Sequence, residues 1–213
     1  MNPTLEFLLG PVYSGDLAPA HRDDLRKSGL HDDLVQEQGI RSVPPSDFDR
    51  LLGFGVPAAV TSLLLIPYPD PAGGYFDMFQ IKLFPALEDR KYLQPRGSTP
   101  RLYFVRRALP LVMDAAAPLY FVEGAKKALA AAQLGLAAVG FNGIQGWHLR
   151  GSRRLLPDFD AIPLAGRLVK VLPDGDVQTN PAVERGAADL ADALEQRGAR
   201  SRVVLLPIIA AAA

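Results

Sequence analysis

Residues 118–136 read PLYFVEGAKKALAAAQLGL. Leu119–Val122 is a short apolar run rich in β-forming side chains, the pattern of a buried strand. Glu123 stands at its end, and Gly124 permits a sharp change of direction. Lys126–Gln133 is rich in Ala and Leu, which predicts a helix, and Gly135 is placed to end it. A lone acid at the carboxyl end of a buried strand, beside a helix N-terminus, stands where open α/β sheets place their sites.

A second acidic turn lies downstream. The apolar run RLVKVL, Arg167–Leu172, leads into Pro173-Asp174-Gly175-Asp176. Two carboxylates separated by one residue at a strand end suit a divalent cation, because hard cations such as Mg²⁺ take oxygen ligands. Glu123 close to Asp174 and Asp176 would form a cluster of like charge, unstable unless a metal or a proton neutralises it. The pattern predicts a site for Mg²⁺-dependent phosphoryl transfer, with Mn²⁺ as the alternative ion. Asp174 and Asp176 would hold the metal, and Glu123 would share it or act as general acid or base. Lys126 and Lys127 follow Glu123 closely, as phosphate contacts or as exposed helix residues.

From residue 118 onward the chain alternates strands and helices, the mark of a parallel sheet with right-handed crossovers. Ala137–Gly140 is the next parallel strand, and the turn after it brings Gly146-Trp147-His148 beside the site. Trp147 is expected in the core, and His148 has no second histidine at metal-ligand spacing. Asp158 and Asp160 precede a strand, which predicts surface or capping roles. Asn180-Pro181 opens the last helix as N-cap and first position, and Val183, Ala187, Leu190 and Leu194 face the sheet. Val203–Leu206 is the expected final strand. The alanines 210–213 look like a domain edge or a cut from a longer protein.

The first half reads differently. Residues 1–18 have weak periodicity and are expected to form an arm. Short helices are predicted at Pro19–Lys27 and His31–Gln38, and SVPPS, 42–46, reads as a turn or linker. The first two helices resemble a helix-turn-helix in spacing, but HDDLVQEQ is acidic, which is wrong for a phosphate-lined groove. Ser46 is expected to cap a helix over Asp47–Leu52. Thr61–Pro67 and Tyr75–Phe84 flank the turn signal DPAGG and predict a β-hairpin. Tyr92-Leu93 and Arg101–Val105 add short strands. Lys82, Lys91, Arg96, Arg101, Arg106 and Arg107, interleaved with Tyr92 and Tyr103, are expected on about one small sheet. Such cations and aromatics suit single-strand contact, or else a solvated sheet face.

Composition sets outer bounds. The 213 residues carry 23 basic and 23 acidic side chains, so the formal net charge is zero. A dedicated nucleic-acid binder is more often basic, which weighs against tight autonomous DNA binding. Without cysteine there is no disulfide and no cysteine-ligated zinc, which is compatible with a cytoplasmic setting. No apolar run has the length of a membrane span, and the N-terminus does not look like a signal peptide.

The VEG–KKALAAAQLGL stretch, followed by D-x-D after a later strand, resembles the Toprim domain of primases, topoisomerases and related nucleases. SGLHDDLVQEQGIRSVPPS, KYLQPRGSTPRLYF, VGFNGIQGW, LLPDFDAIPLAGR and DVQTNPAVERGAADLADALEQRGA resemble a narrower family, the Toprim-like domains of uncharacterised function in phage and plasmid replication proteins. Ala125 stands where that family often has another acid, and Pro173 where a large apolar residue is usual. The resemblance implies an α/β fold: a Toprim-like parallel sheet flanked by helices at 117–213. Before it come an N-terminal arm and helical accessory region at 1–57 and a small basic β-rich subdomain at 58–116. It implies primase-like nucleotidyl transfer on single-stranded DNA from nucleoside triphosphates, beside or fused to a replicative helicase. Glu123, Asp174 and Asp176 would be catalytic and metal-binding. Lys126, Lys127, Lys82, Lys91, Arg96 and Arg101 would contact nucleotide or nucleic acid. The rival readings are a non-catalytic nucleic-acid-binding module and a Toprim nuclease.

Overall fold

The strand, turn and helix expected over 118–136 are present in the computed structural model. It describes residues 3–10, 16–55, 57–87 and 90–205, with backbone alone at Arg90, Asp176 and Gln178. The chain divides into two units, Met1–Thr99 and Pro100–Ala213.

The first unit runs α1 (Pro3–Leu9), α2 (Pro19–Lys27), α3 (Asp32–Glu37), β1 (Arg41–Val43), α4 (Phe48–Leu52), β2 (Ser62–Pro69), β3 (Tyr75–Leu87) and β4 (Arg90–Leu93). Its sheet is antiparallel, in the order β1-β2-β3-β4, and the expected hairpin is β2-β3. Leu63 and Leu65 of β2 and Phe79, Ile81 and Leu83 of β3 pack with Phe48, Leu51 and Leu52 of α4 in one apolar cluster.

Three expectations change here. The N-terminal arm contains helix α1, whose Leu5 and Leu8 are fully buried in that cluster. Its helical spacing places both on one face; residues 11–15 lie outside the described residues. The supposed linker contains a strand, β1, because Val43 faces the core and residues 41–43 pair with β2. Ser46 does not cap α4, since a 3-10 turn over Pro45–Asp47 runs directly into it and no side chain caps that helix.

The second unit runs β5 (Tyr103–Phe104), α5 (Leu109–Met113), β6 (Leu119–Glu123), α6 (Ala125–Gln133), β7 (Ala137–Phe141), β8 (Leu168–Leu172), α7 (Pro181–Gln196) and β9 (Arg200–Val203). The sheet order is β5-β7-β6-β8-β9, with β5 antiparallel and the other strands parallel. Central β6 buries Leu119 and Phe121, and α6 buries Ala125, Ala128, Leu129 and Ala132. Helix α7 buries the expected Val183, Ala187, Leu190 and Leu194, and the Asn180 carboxamide caps it by accepting the Ala182 N–H at 3.1 Å.

Two long-range polar contacts hold this sheet. Asp158 is buried: it accepts the Leu102 N–H at 2.7 Å and pairs with Arg101 at 3.0 Å. It therefore anchors the entry to β5 and is not a surface residue, while Asp160 is exposed and pairs with Arg197. Arg167 is almost fully buried and donates to the carbonyls of Leu111, Val112, Ala117 and Pro163 at 2.6–3.2 Å. Two of these, Leu111 and Val112, are carbonyls of the last turn of α5, where Leu111 also accepts the Asp114 N–H at 3.3 Å.

Two strands depart from expectation. Residues 103–104 pair with β7, Tyr103 opposite Gly140 and Phe104 opposite Val139. They thus join the second sheet, where Leu102–Val105 are continuously buried. The final strand is Arg200–Val203, earlier than Val203–Leu206, of which Leu206 lies outside the described residues. An edge strand pairs on one side only, so it needs no apolar run.

Candidate active site

Strand β6 lies between β7 and β8, and all three run parallel. Val122 is registered opposite Leu172, so the residues that follow, Glu123 and the 173–175 turn, leave the sheet side by side. Gly124, at φ 98°, turns the chain from β6 into α6, a conformation that side-chain-bearing residues rarely adopt.

A Glu123 oxygen, Oε2, accepts the backbone N–H of Asp174 at 2.9 Å. The two acids, 51 residues apart, thus meet through a side-chain-to-backbone bond. Asp174 Oδ1 accepts the Gly175 N–H at 2.9 Å and forms an ion pair with Lys127 of α6. Partial burial pushes the Asp174 carboxyl up, but the hydrogen bonds from Lys127 and Gly175 and the Lys127 charge outweigh it. The net shift is downward, and Asp174 is a carboxylate at neutral pH.

The backbone of Asp176 continues the turn into a 3-10 segment, Gly175–Gln178; its side chain lies outside the described residues. Among the described residues, no three His, Cys, Asp or Glu side chains gather as a metal-binding group. The donors present, Glu123 and Asp174, are carboxylate oxygens at an exposed strand end, a donor set that fits a hard divalent cation. Ala125 is buried at the start of α6 and Pro173 is buried before the acidic turn.

The nucleotide-contact candidates divide between the two units. Lys126 is half-buried and Lys127 half-exposed, and Lys127 spends its ammonium on Asp174. Lys82, Lys91 and Arg96 lie in the first unit, Arg101, Arg106 and Arg107 in the second. The single basic sheet expected from the sequence is therefore split, because β5 pairs with β7. Lys82 is ion-paired with Asp24, with both side chains largely covered, and lies over the rings of Phe84 and Tyr92 at 5.2 and 5.7 Å. Burial and the nearby Asp24 carboxylate push the Tyr92 phenol up to about 12. Arg101 is committed to Asp158, whereas Lys91 and Arg96 are exposed.

Trp147 is buried, as expected of a core residue, and its indole meets the His148 ring edge-on at 4.5 Å. These two residues line a groove of about 510 Å³ together with Arg153, Arg185 and Asp189. The last three were not legible as site residues. Their signal was weak: Arg185 and Asp189 share a face of α7 at i, i+4, flanking Gly186.

A family model described as a domain of unknown function, DUF3854, matches residues 110–211. No curated protein matches the chain. The Aquifex aeolicus primase, in a structure of its zinc-binding and RNA polymerase domains, is 16% identical with a TM-score of 0.61; the match covers 89% of this chain and 50% of that one. The DnaG catalytic core is 19% identical with a TM-score of 0.59, covering 94% of this chain and 67% of that one. The DnaG primase catalytic domain bound to single-stranded DNA is 19% identical with a TM-score of 0.58, covering 94% and 66%. This chain thus spans between half and about two thirds of these three solved chains. None of the described helices is long and apolar enough to cross a membrane. The second unit is similar to that domain of unknown function, and the chain has the fold of the primase catalytic core, a Toprim-like parallel sheet flanked by helices.

Proposed function

We propose that the chain carries out primase-like nucleotidyl transfer, making primers on single-stranded DNA from nucleoside triphosphates. The observation that carries this reading is the meeting of Glu123 with the Asp174 turn at adjacent parallel strand ends, within a primase-type fold. Glu123, Asp174 and Asp176 would hold Mg²⁺ or Mn²⁺, with Lys126, Lys127, Lys91 and Arg96 available to phosphates. Lys82 and Arg101, each held in an ion pair within its own unit, would contact nucleic acid from those units separately.

Bound there, the ion would neutralise phosphate charge and orient the reacting oxygens. The chain's own groups do the rest. Asp174 is already ionised and presents its second oxygen, Oδ2, while Lys127 and Gly175 hold Oδ1. Glu123, held against the turn by the Asp174 N–H, would accept the proton of an attacking 3′-hydroxyl. As that oxygen bonds to the α-phosphorus, the bond to pyrophosphate breaks. Lys127 would shift from Asp174 to a phosphate oxygen.

The regions read from the sequence belong to this proposal as functional regions, with 1–57 and 58–116 as accessory and 117–213 as the catalytic core, although β5 of the middle region is a strand of the core's sheet. So do a phage or plasmid replication setting and a helicase partner, which rest on the sequence resemblance.

The test is incorporation of labelled nucleotide on single-stranded DNA with Mg²⁺ or Mn²⁺. Wild type should yield metal-dependent product, and Glu123→Gln and Asp174→Asn should each lower it at least about 100-fold. Absence of product from wild type, with DNA binding unchanged in both variants, would shift the reading to a binding module. Metal-dependent strand cleavage would shift it to a nuclease.

A further inference from the structure

The groove beside α7 contains none of Glu123, Lys127 or Asp174 in its lining. One wall is the loop that leaves the carboxyl end of β7; the other is the N-terminal half of α7. The two walls meet closely at Gly186, where a Cβ would lie 2.6 Å from Ile144 Cγ1 and 2.9 Å from Gln145 Nε2. A larger residue there would require the Ile144 and Gln145 side chains to move aside.

The chemistry of the lining is cationic and donor-rich. Arg185 gives Nε to the Pro181 carbonyl at 3.2 Å, which leaves its terminal nitrogens for the groove. Arg153 reaches Asp189 at 3.3 Å and is mostly exposed, so its pairing there is weak. The His148 ring is fixed at both nitrogens, Nδ1 2.9 Å from the Leu149 carbonyl and Nε2 2.7 Å from Gln145 Oε1. Trp147 is 1% exposed, and its indole N–H has no acceptor. A buried donor left unpaired is costly, and such groups usually have a reason.

We propose that this groove binds a small phosphoryl-bearing anion, a nucleoside phosphate or inorganic pyrophosphate, held between Arg153 and Arg185. Guanidinium forks match phosphate oxygens in bidentate pairs. Donors stand on both walls, which suits a tetrahedral group with several acceptors better than a planar carboxylate. The groove volume falls within the range of small-ligand sites. Asp189 acts against the ligand, competing for Arg153. The proposal does not rest on nucleotidyl transfer at Glu123, since the two sites share no lining residue.

Trp147 is the sole tryptophan, so its emission reports directly on the groove. The full chain is titrated with pyrophosphate, ATP and adenosine in the presence of EDTA, followed by emission and by calorimetry. Saturable binding of pyrophosphate and ATP, without binding of adenosine, is expected. ATP binding much tighter than pyrophosphate would specify a nucleotide; equal binding would specify the phosphoryl group alone. Arg153→Gln and Arg185→Gln should each raise Kd about tenfold, near 1.4 kcal/mol. Asp189→Asn should tighten binding, a gain that misfolding cannot produce. Arg197→Gln, which removes an equal charge elsewhere, should leave Kd unchanged. Absence of saturation with either phosphate, adenosine binding as well as ATP, or equal weakening by Arg197→Gln would overturn the proposal.

Discussion

Lys127 connects the acidic turn to its titration. Its ammonium and the Gly175 N–H hold the Asp174 pKa below the ordinary carboxylate value, so this contact adds stability above the unfolded pKa, and that stability is lost as pH falls through the folded value. Lys127→Gln removes the largest downward contribution, and the Asp174 carboxyl pKa, followed by NMR titration of the side-chain carbon, should rise. His21 behaves in the opposite sense. It is fully buried, with Nδ1 2.7 Å from Ser42 Oγ and Nε2 3.0 Å from Ser62 Oγ. Burial lowers its pKa; the Asp24 carboxylate opposes this, and Lys82 adds to it. The unfolded state then binds the proton more readily, so stability falls as pH drops below the ordinary histidine value. Melting temperatures at pH 7.5 and pH 5 should differ less in His21→Gln than in wild type. Neither partnership was legible in sequence, because the contacts join residues 47 and 21 to 41 positions apart.

Elements are held at their ends by groups that local pattern does not mark. Arg167 reads as the first residue of the β8 run, yet its guanidinium serves the end of α5. Arg167→Met should leave several buried carbonyls unpaired and lower unfolding free energy by about 3 kcal/mol, measured by urea denaturation. Asp158→Asn should cost about 2 kcal/mol in the same measurement, because it weakens both the Arg101 pair and the anchor of Leu102. The Asn180 cap was readable, since Asn-Pro before an amphipathic run has one local meaning; Asn180→Ala should cost about 1 kcal/mol. The edge strand Arg200–Val203 was misplaced by three residues at its start, because R-S-R-V is largely exposed and carries no apolar alternation. Helix α1 carries no legible sequence signal because seven residues hold too few turns to show a period, although Leu5 and Leu8 are fully buried.

At the scale of the whole molecule, each unit has its own sheet and its own buried side chains. Residues 100–213 produced alone should fold cooperatively and retain the buried Trp147 emission; an unstructured far-ultraviolet spectrum would refute this. The parallel α/β class, strands β6, β7 and β8, the helix after Glu123 and the N-cap of α7 were determined by sequence alone. Each is a local pattern whose side chains select the element they form. Tertiary structure alone decided that β5 joins the second sheet, that the basic residues divide between two units, and that Lys82, Arg101 and Arg167 are spent inside the protein. It also decided that Lys127 meets Asp174 and that Arg153 and Arg185 share a groove. The physical reason is common to all of them. A charge carries no period, so its partner is chosen by whatever the packed sheets bring within a few ångströms.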